Sequence, residues 1–397
     1  MTDQHGELRR IQDVDLAGKT VCVRVDYNVP LNDGVIGDDG RIRASLPTLQ
    51  TILDKGGKIV LMTHLGRPKG KVVDALRLDP VAERLAELLS VSVHKLDDCI
   101  GTDVVDAVAS GGPGDVYLLE NLRFHSEETK NDPGFSAQLA GLGDVFVNDA
   151  FGTVHRSHAS TLGVAQHLPA YAGLLMQREI EELGKLLEAP RRPYVAIIGG
   201  KKAESKLGAL RDLLDHVDEV LIGGGVAFSF LRATGADVGA SIVDEAMLDE
   251  IREIIAIAEK KGRAIALPDD VVAAQEITAT AETRVIDAQR VPAGWMGLDI
   301  GPRTVERFSA RLRQAGTILW AGPMGAFEVE PFADGTRRVA ASMAGSDAFS
   351  VVGGGESGEA VKQFGFGDQV SYISTGGGAC LALLRGKPMP ALEALRA

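Results

Sequence analysis

Short runs of Val, Ile and Leu, each closing on a Gly, Asp, Asn or His, alternate with amphipathic stretches along most of the chain. Runs that are apolar throughout, rather than at every second position, predict strands buried on both faces. Their alternation with helical patterns predicts parallel sheets covered by helices. A first set consists of VCVRVD to Asp26, IVLMTH to His64, VYLLEN to Asn121 and VFVNDA to Ala150. A second set consists of VAIIGG to Gly200, VLIGGG to Gly225, ILWAGP to Pro323, SVVGGG to Gly355 and VSYIST to Thr375. Between them GLLMQREIEELGKLLE reads as an amphipathic helix within 172–188, the natural connection between two domains. Ser45 ahead of Leu46 and Pro47, and Asp79 ahead of Pro80, place a capping side chain near a first-turn proline and predict helix starts there. After Pro80, residues Val81, Leu85, Leu88 and Leu89 share one helical face. The fold class is therefore α/β, with two doubly wound, Rossmann-like parallel-sheet domains.

Length supports the division, because 397 residues exceed one ordinary core. A formal net charge of −13 argues against general affinity for nucleic acid or an anionic membrane, so an anionic ligand needs a focused site. Cys22, Cys99 and Cys380 lie far apart and form no CxxC pattern, which points away from a disulfide framework or a zinc module and towards a reducing, cytoplasmic setting. MTDQHGELRR contains no apolar run that could act as a signal, and the apolar runs elsewhere stop short of a membrane span.

In open parallel sheets ligands bind beyond the carboxyl ends of the strands. In the first half those ends carry Asp26 and Asn28, His64 and Arg67 in HLGRP, Arg123 in ENLRFH, and His155 and Arg156 in GTVHRSH, with Arg41 in GRIRAS as a further member. Arginine forks suit a small molecule bearing carboxylate and phosphate groups. Solvated loop arginines would explain any one of these alone, but explain the set poorly. His155 and His158 also have the spacing of metal ligands, yet no Cys or His cluster completes a zinc shell.

In the second half the strand ends are rich in glycine: GGKK at 199–202, GGG at 223–225, GPMG at 322–325 and GGGES at 353–357. Glycines let a backbone approach phosphates, and Lys201, Lys202 and Lys206 would neutralise charge, so this half reads as a nucleotide domain. Tight sheet-to-helix turns are the competing explanation for the glycines. Gly353, Gly355 and Gly358 satisfy GxGxxG, which raises a dehydrogenase, but VSYIST ends without the acidic residue such a site needs for ribose, and there is no GxxxxGK[ST] loop.

The segments VRVDYNVP, HLGRP, ENLRFH, NDAFGTVHRSH, GLDIGP, GPMGAFE and STGGGA, in that order over nearly the whole chain, closely resemble phosphoglycerate kinases. The resemblance implies two domains facing across a cleft: 1–171 for 3-phosphoglycerate and 189–375 for the nucleotide, joined by 172–188, with 376–397 returning to the first. It implies a monomer that closes by hinge bending, with ATP or ADP and 3-phosphoglycerate as substrates and Mg²⁺ as cofactor. By the same resemblance Asp26 and Asn28 bind the glycerate end. His64, Arg67, Arg123 and Arg156 grip the phosphate that is not transferred, with His155 beside them. Arg41 meets the reacting carboxylate, and Lys202 and Lys206 follow the transferred group and the nucleotide phosphates. Glu328 holds the ribose; Gly200, Gly224, Gly297 and Pro323 line the nucleotide; Gly354, Gly355, Glu356 and Ser357 form the triphosphate loop, with Glu356 as the metal ligand.

Three nucleotide-side positions depart from the pattern this resemblance implies. Lys201 stands where a small residue precedes the loop lysine, Ala321 where an asparagine is expected, and Glu356 where an aspartate is expected. The reaction itself needs no general base, because a carboxylate acceptor is already ionised at neutral pH. The alternative for the same residues is a paralogue that keeps the anion site and transfers phosphate weakly, or to another acceptor.

Overall fold

The computed structural model describes residues 7–32, 34–386 and 388–397. The chain forms two compact units, one running to Glu181 and including Pro388–Ala397, the other spanning Glu182–Lys387. The division falls inside the Leu174–Glu188 helix, which occupies the connection expected from the sequence.

The first unit is built on six strands: β1 (Thr20–Arg24), β2 (Lys58–Met62), β3 (Val93–Lys95), β4 (Val116–Leu118), β5 (Val145–Asn148) and β6 (Ala170–Ala172). They pair in parallel in the order β3-β4-β2-β1-β5-β6. The second unit carries β7 (Tyr194–Ile198), β8 (Glu219–Ile222), β9 (Ala264–Ala266), β10 (Thr317–Ala321), β11 (Phe349–Gly353) and β12 (Tyr372–Ser374). Their order is β9-β8-β7-β10-β11-β12, again all parallel. The connections leave β1 and its neighbour β5 in opposite directions, and likewise β7 and its neighbour β10, and those are the points where loops diverge to leave a ligand crevice.

Every apolar run of the sequence lies on one of these strands. The edge strands β3 (VHK), β6 (AYA) and β9 (AIA) carry no run of Val, Ile and Leu and so do not show in the pattern. A three-stranded antiparallel sheet of Asp270–Ala274, Arg284–Asp287 and Met296–Ile300 was also not expected. Its Arg284–Asp287 strand is largely exposed and carries no apolar run.

Two details correct the sequence reading. The first helix runs Gly40–Asp54 and takes Pro47 inside it, so Ser45 is not its cap. Ile42, Ser45, Leu49 and Ile52 are buried at helical spacing, and that continuous face carries the helix back past Ser45 to Gly40. Ser45 instead donates to the Ile42 carbonyl and meets the Tyr27 hydroxyl at 2.7 Å. The second correction concerns the C-terminal segment, which divides. Gly377–Leu384 is a helix of the second unit, where Arg385 pairs with Asp212 at 2.7 Å. The segment 388–397 belongs to the first unit, with Arg9 N donating to Leu395 O at 2.8 Å and Ala397 N to Glu7 O at 2.9 Å. Asp79 begins its helix as expected, though Leu78 occupies the cap position with no side-chain cap bond.

Candidate active site

At the carboxyl ends of β1, β2, β4 and β5 the first unit opens into a hollow of about 880 Å³. Asp26, Asn28, Arg41, His64, Arg67, Arg123 and Arg156 line it, together with Lys69, His125, Thr129, Lys130, Thr153 and His158. Six Arg and Lys side chains there (Arg41, Arg67, Lys69, Arg123, Lys130, Arg156) face a single carboxylate, Asp26. Such an excess of one sign makes the hollow an anion site.

Each wall is held from beneath. Helix Gly40–Asp54 puts Arg41 in its first turn, where Nη1 bonds Asp26 Oδ2 at 2.8 Å. Asn28 Oδ1 accepts from the Gly66 amide at 2.8 Å, and Arg123 Nη1 donates to the Gly66 carbonyl at 2.7 Å, so the HLGRP loop is clasped from two strands. Buried Asn121 completes the clasp, accepting from Leu65 N and donating to Leu65 O and Leu76 O. Burial, reinforced by Arg24 and Arg156, pushes the Arg123 guanidinium down to about 10, and it remains cationic at neutral pH.

Behind the hollow lies Arg24, fully buried within β1. Its Nη2 meets His64 Nδ1 at 3.1 Å. A guanidinium only donates, so Nδ1 accepts and the His64 proton sits on Nε2. Burial first, then Arg24, Arg123 and Arg41, hold this imidazole well below its usual range, and it is neutral.

In the second unit the glycine runs meet one another. Gly199 N donates to Ala321 O, Gly200 N to Pro323 O, Gly223 N to Ile198 O and Gly224 N to Met324 O. A Cβ on Gly199 would lie 2.2 Å from the Pro323 carbonyl, and one on Gly322 the same distance from the Gly199 carbonyl, so no side chain fits at either position. The buried Ser357 hydroxyl accepts from Gly322 N at 2.6 Å. Gly297 is packed against the Phe228 ring and donates to Ser241 Oγ at 2.9 Å. Exposed around these loops stand Lys201, Lys202, Glu328 and Glu356, with Lys206 half-buried. Burial lowers the Lys206 ammonium and the nearby Glu356 carboxylate opposes the shift. Glu356 lies in the first turn of the Gly355–Gln363 helix, whose cap position, Gly354, supplies no side-chain bond. The first amides of that helix therefore have no side-chain cap from that position.

A model of the phosphoglycerate kinase family matches residues 11–387. The chain belongs to the phosphoglycerate kinase family. It is 53% identical over 385 residues to a phosphoglycerate kinase of Moorella thermoacetica, covering 97% of this chain and 98% of that one. It is 51% identical over 387 residues to one of Dictyoglomus turgidum, with the same coverages. Among solved structures, a phosphoglycerate kinase from Coxiella burnetii superposes with TM-score 0.84 at 38% identity, covering 98% of this chain and 99% of that one. One from Pyrococcus horikoshii superposes with TM-score 0.88 at 35% identity, covering 98% of each.

Against the residues expected from sequence, the hollow gathers Asp26, Asn28, Arg41, His64, Arg67, Arg123 and Arg156. His155 is not among its lining residues; His158 is. On the nucleotide side Gly200, Gly224, Pro323 and Ser357 are in contact, but through bonds that hold the loops to each other. Lys69, His125, Lys130 and His158 were missed, as were the buried charges Arg24 and Glu128. One signal was available for Arg24: a charge inside the apolar run VCVRVD must have a partner. Asp98, Cys99 and His125 form a further cluster with candidate metal-ligand atoms within 4.8 Å of one another. Those atoms are already bonded, Asp98 Oδ1 to His125 Nε2 at 2.6 Å and the Cys99 thiol to Glu120 O at 2.9 Å. Burial keeps the Cys99 thiol protonated, which opposes a metal thiolate.

Proposed function

We infer that the chain transfers a phosphoryl group reversibly between ATP and the carboxylate of 3-phosphoglycerate, giving 1,3-bisphosphoglycerate and ADP. As a phosphoglycerate kinase it is a phosphotransferase with a carboxyl group as acceptor. The observation that carries the residue roles is the hollow in which six cationic side chains face one carboxylate where the connections from β1 and β5 diverge.

In this reading Arg67, Arg123 and Arg156 bind the phosphate that stays on the substrate, and neutral His64 offers it the Nε2–H. Asp26 and Asn28 take the glycerate end. The Asp26 carboxylate also holds the Arg41 fork, which turns to the reacting carboxylate and the transferred group. A loose phosphoryl-transfer transition state spreads charge over the equatorial oxygens, so fixed cations are what it requires. Lys202 and Lys206 supply them from the nucleotide side, with Glu328 at the ribose. The exposed Glu356 carboxylate fits magnesium, which is commonly held by one or two carboxylates together with phosphate oxygens, and the first amides of its helix would take the phosphate. Bound there, magnesium would neutralise phosphate charge and orient the nucleotide. Transfer between ligands held on two units calls for hinge bending. A monomer working in the cytoplasm accords with the net charge and with three buried cysteine thiols.

The test is turnover of ATP and 3-phosphoglycerate with Mg²⁺, read as ADP formation, beside an Arg41→Ala control. The control should lose on the order of 10²–10³ in kcat. Arg41 is one-third exposed, so its bond to Asp26 adds little to stability and the variant should stay folded. A folded variant with wild-type kcat would remove Arg41 from this role.

A further inference from the structure

Five side chains form one chain beneath the anion hollow. Arg24 Nε donates to Ser160 Oγ at 2.8 Å, and the Ser160 hydroxyl donates onward to Glu128 Oε1 at 2.7 Å. Glu128 Oε2 also accepts from Ser160 N at 3.0 Å. At one end Arg24 fixes His64 through Nδ1; at the other His158 Nδ1 stands 3.6 Å from Glu128 Oε1, an ion-pair distance too long for a hydrogen bond. Arg24, Ser160 and Glu128 are all fully buried, whereas both terminal imidazoles line the hollow. From His64 through Arg24 and Ser160 to Glu128 every hydrogen-bond direction is determined, because arginine cannot accept and an ionised carboxylate cannot donate.

Burying an opposite pair of charges usually costs more than packing apolar groups of the same size. Such a pair placed only to stabilise the fold is a poor solution. Burial alone would raise the Glu128 carboxyl, yet His158, Arg24 and Ser160 together hold it below its ordinary value, so it is ionised. Arg24 is kept charged against burial by Glu128 and Asp26. What the arrangement achieves is to fix which nitrogen His64 turns to the hollow and to set a carboxylate against the His158 ring.

We propose that Glu128 is a positioning residue for phosphate binding, holding His64 through the hydrogen-bonded line of Ser160 and Arg24 and setting a carboxylate 3.6 Å from His158 Nδ1. The inference rests on the hollow being the 3-phosphoglycerate site. Glu128→Gln keeps the shape but puts an amide nitrogen or a neutral oxygen where the chain needs an anion. Losing hydrogen bonds to a charged group predicts a KM for 3-phosphoglycerate raised about tenfold to a hundredfold. The KM for ATP and kcat should change by less than about threefold, because all five groups belong to the first unit and the proposed nucleotide residues to the second. A merely structural role would lower the active fraction, and so kcat, and leave both KM values alone.

The full chain is assayed as wild type, Glu128→Gln, His158→Ala and the double variant, with thermal unfolding alongside. If Glu128 acts through His158, the two changes combine to much less than the product of their separate effects on KM. Should Glu128→Gln fail to fold, Ser160→Ala breaks the same chain without stranding a charge and should raise the 3-phosphoglycerate KM with the same selectivity. An unchanged KM in a folded variant, or fully multiplicative effects of Glu128→Gln and His158→Ala, overturns the proposal. Absence of turnover in the wild type would instead overturn the function on which it rests.

Discussion

Asp299 sits at the end of a strand of the antiparallel sheet and is 3% exposed. Its Oδ1 accepts from Ile300 N at 2.9 Å and its Oδ2 from Gly335 N at 2.7 Å, while Gly325 packs against the same carboxyl. Ala326 N donates to the adjacent Leu298 carbonyl, so residues 298–299 pin both ends of the loop that carries Glu328. Burial pushes the Asp299 carboxyl up from 3.8 to about 8, despite the two amide bonds. The folded state therefore holds this proton more tightly than the unfolded chain. The stability it contributes is complete below the ordinary carboxylate range and is lost as pH rises towards the folded value. Between about pH 5 and about pH 7 the wild type should lose roughly 2.7 kcal/mol from this group, at ~1.36 kcal/mol per pH unit. Asp299→Asn cannot titrate, and its amide nitrogen must face one of the two N–H donors, at a cost of about 1–3 kcal/mol. The variant is thus the less stable protein near pH 5 and draws level with, or passes, the wild type near pH 8. Urea unfolding followed by tryptophan fluorescence measures this, since both tryptophans, Trp295 and Trp320, lie in the second unit with Asp299. Taking the difference between the two proteins at each pH cancels other titrating groups, including Asp149, which burial raises to about 7. A difference that does not change between about pH 5 and about pH 8 would show that Asp299 ionises normally and that its amide bonds outweigh burial.

Two further substitutions probe the nucleotide side. Glu356→Asp and Ala321→Asn, singly and together, should raise kcat or tighten ATP binding in a magnesium titration; a glutamate sets its carboxylate about 1.5 Å further out, and such misplacement can cost about 100-fold. No change in either quantity would mean that the loop accommodates both residues. Gly297→Ala puts a Cβ 2.0 Å from the buried Phe228 ring and should destabilise the second unit by about 1–3 kcal/mol, read as a lower urea midpoint at unchanged slope.

The central strands of both sheets were legible because each is apolar on both faces, which leaves an uninterrupted run. β3 (VHK), β6 (AYA) and β9 (AIA), and the exposed Arg284–Asp287 strand, carry no run of Val, Ile and Leu and leave no such trace. Ser45 was misread because a local capping signal was weighed without the face formed by Ile42, Leu49 and Ile52, and the burial of that face decides where the helix begins. The cationic strand ends were legible as a set. Which ring of HRSH turns inward was not, because adjacent residues in a non-repeating turn have no period to separate them. His158 Nδ1 lies 3.6 Å from Glu128, a residue thirty positions earlier, and no local pattern encodes that proximity.

The glycine runs show how one pattern can have two physical causes. They were read as places for phosphate to approach the backbone, with tight turns as the rival explanation. In the structure Gly200 and Gly224 spend their amides on the loop after β10, Gly199 and Gly223 spend theirs on the last residues of β10 and β7, and Gly199 and Gly322 are held to hydrogen by carbonyls at 2.2 Å. Packing between loops is therefore sufficient reason for those glycines, and their number is no measure of affinity for phosphate. The nucleotide reading is better carried by groups that packing does not explain. Lys206 is a partly desolvated ammonium opposite Glu356, and the Gly355–Gln363 helix presents a first turn with no side-chain cap. An uncapped helix start beside a lysine that has shed part of its water gains more from an incoming phosphate than from remaining bare.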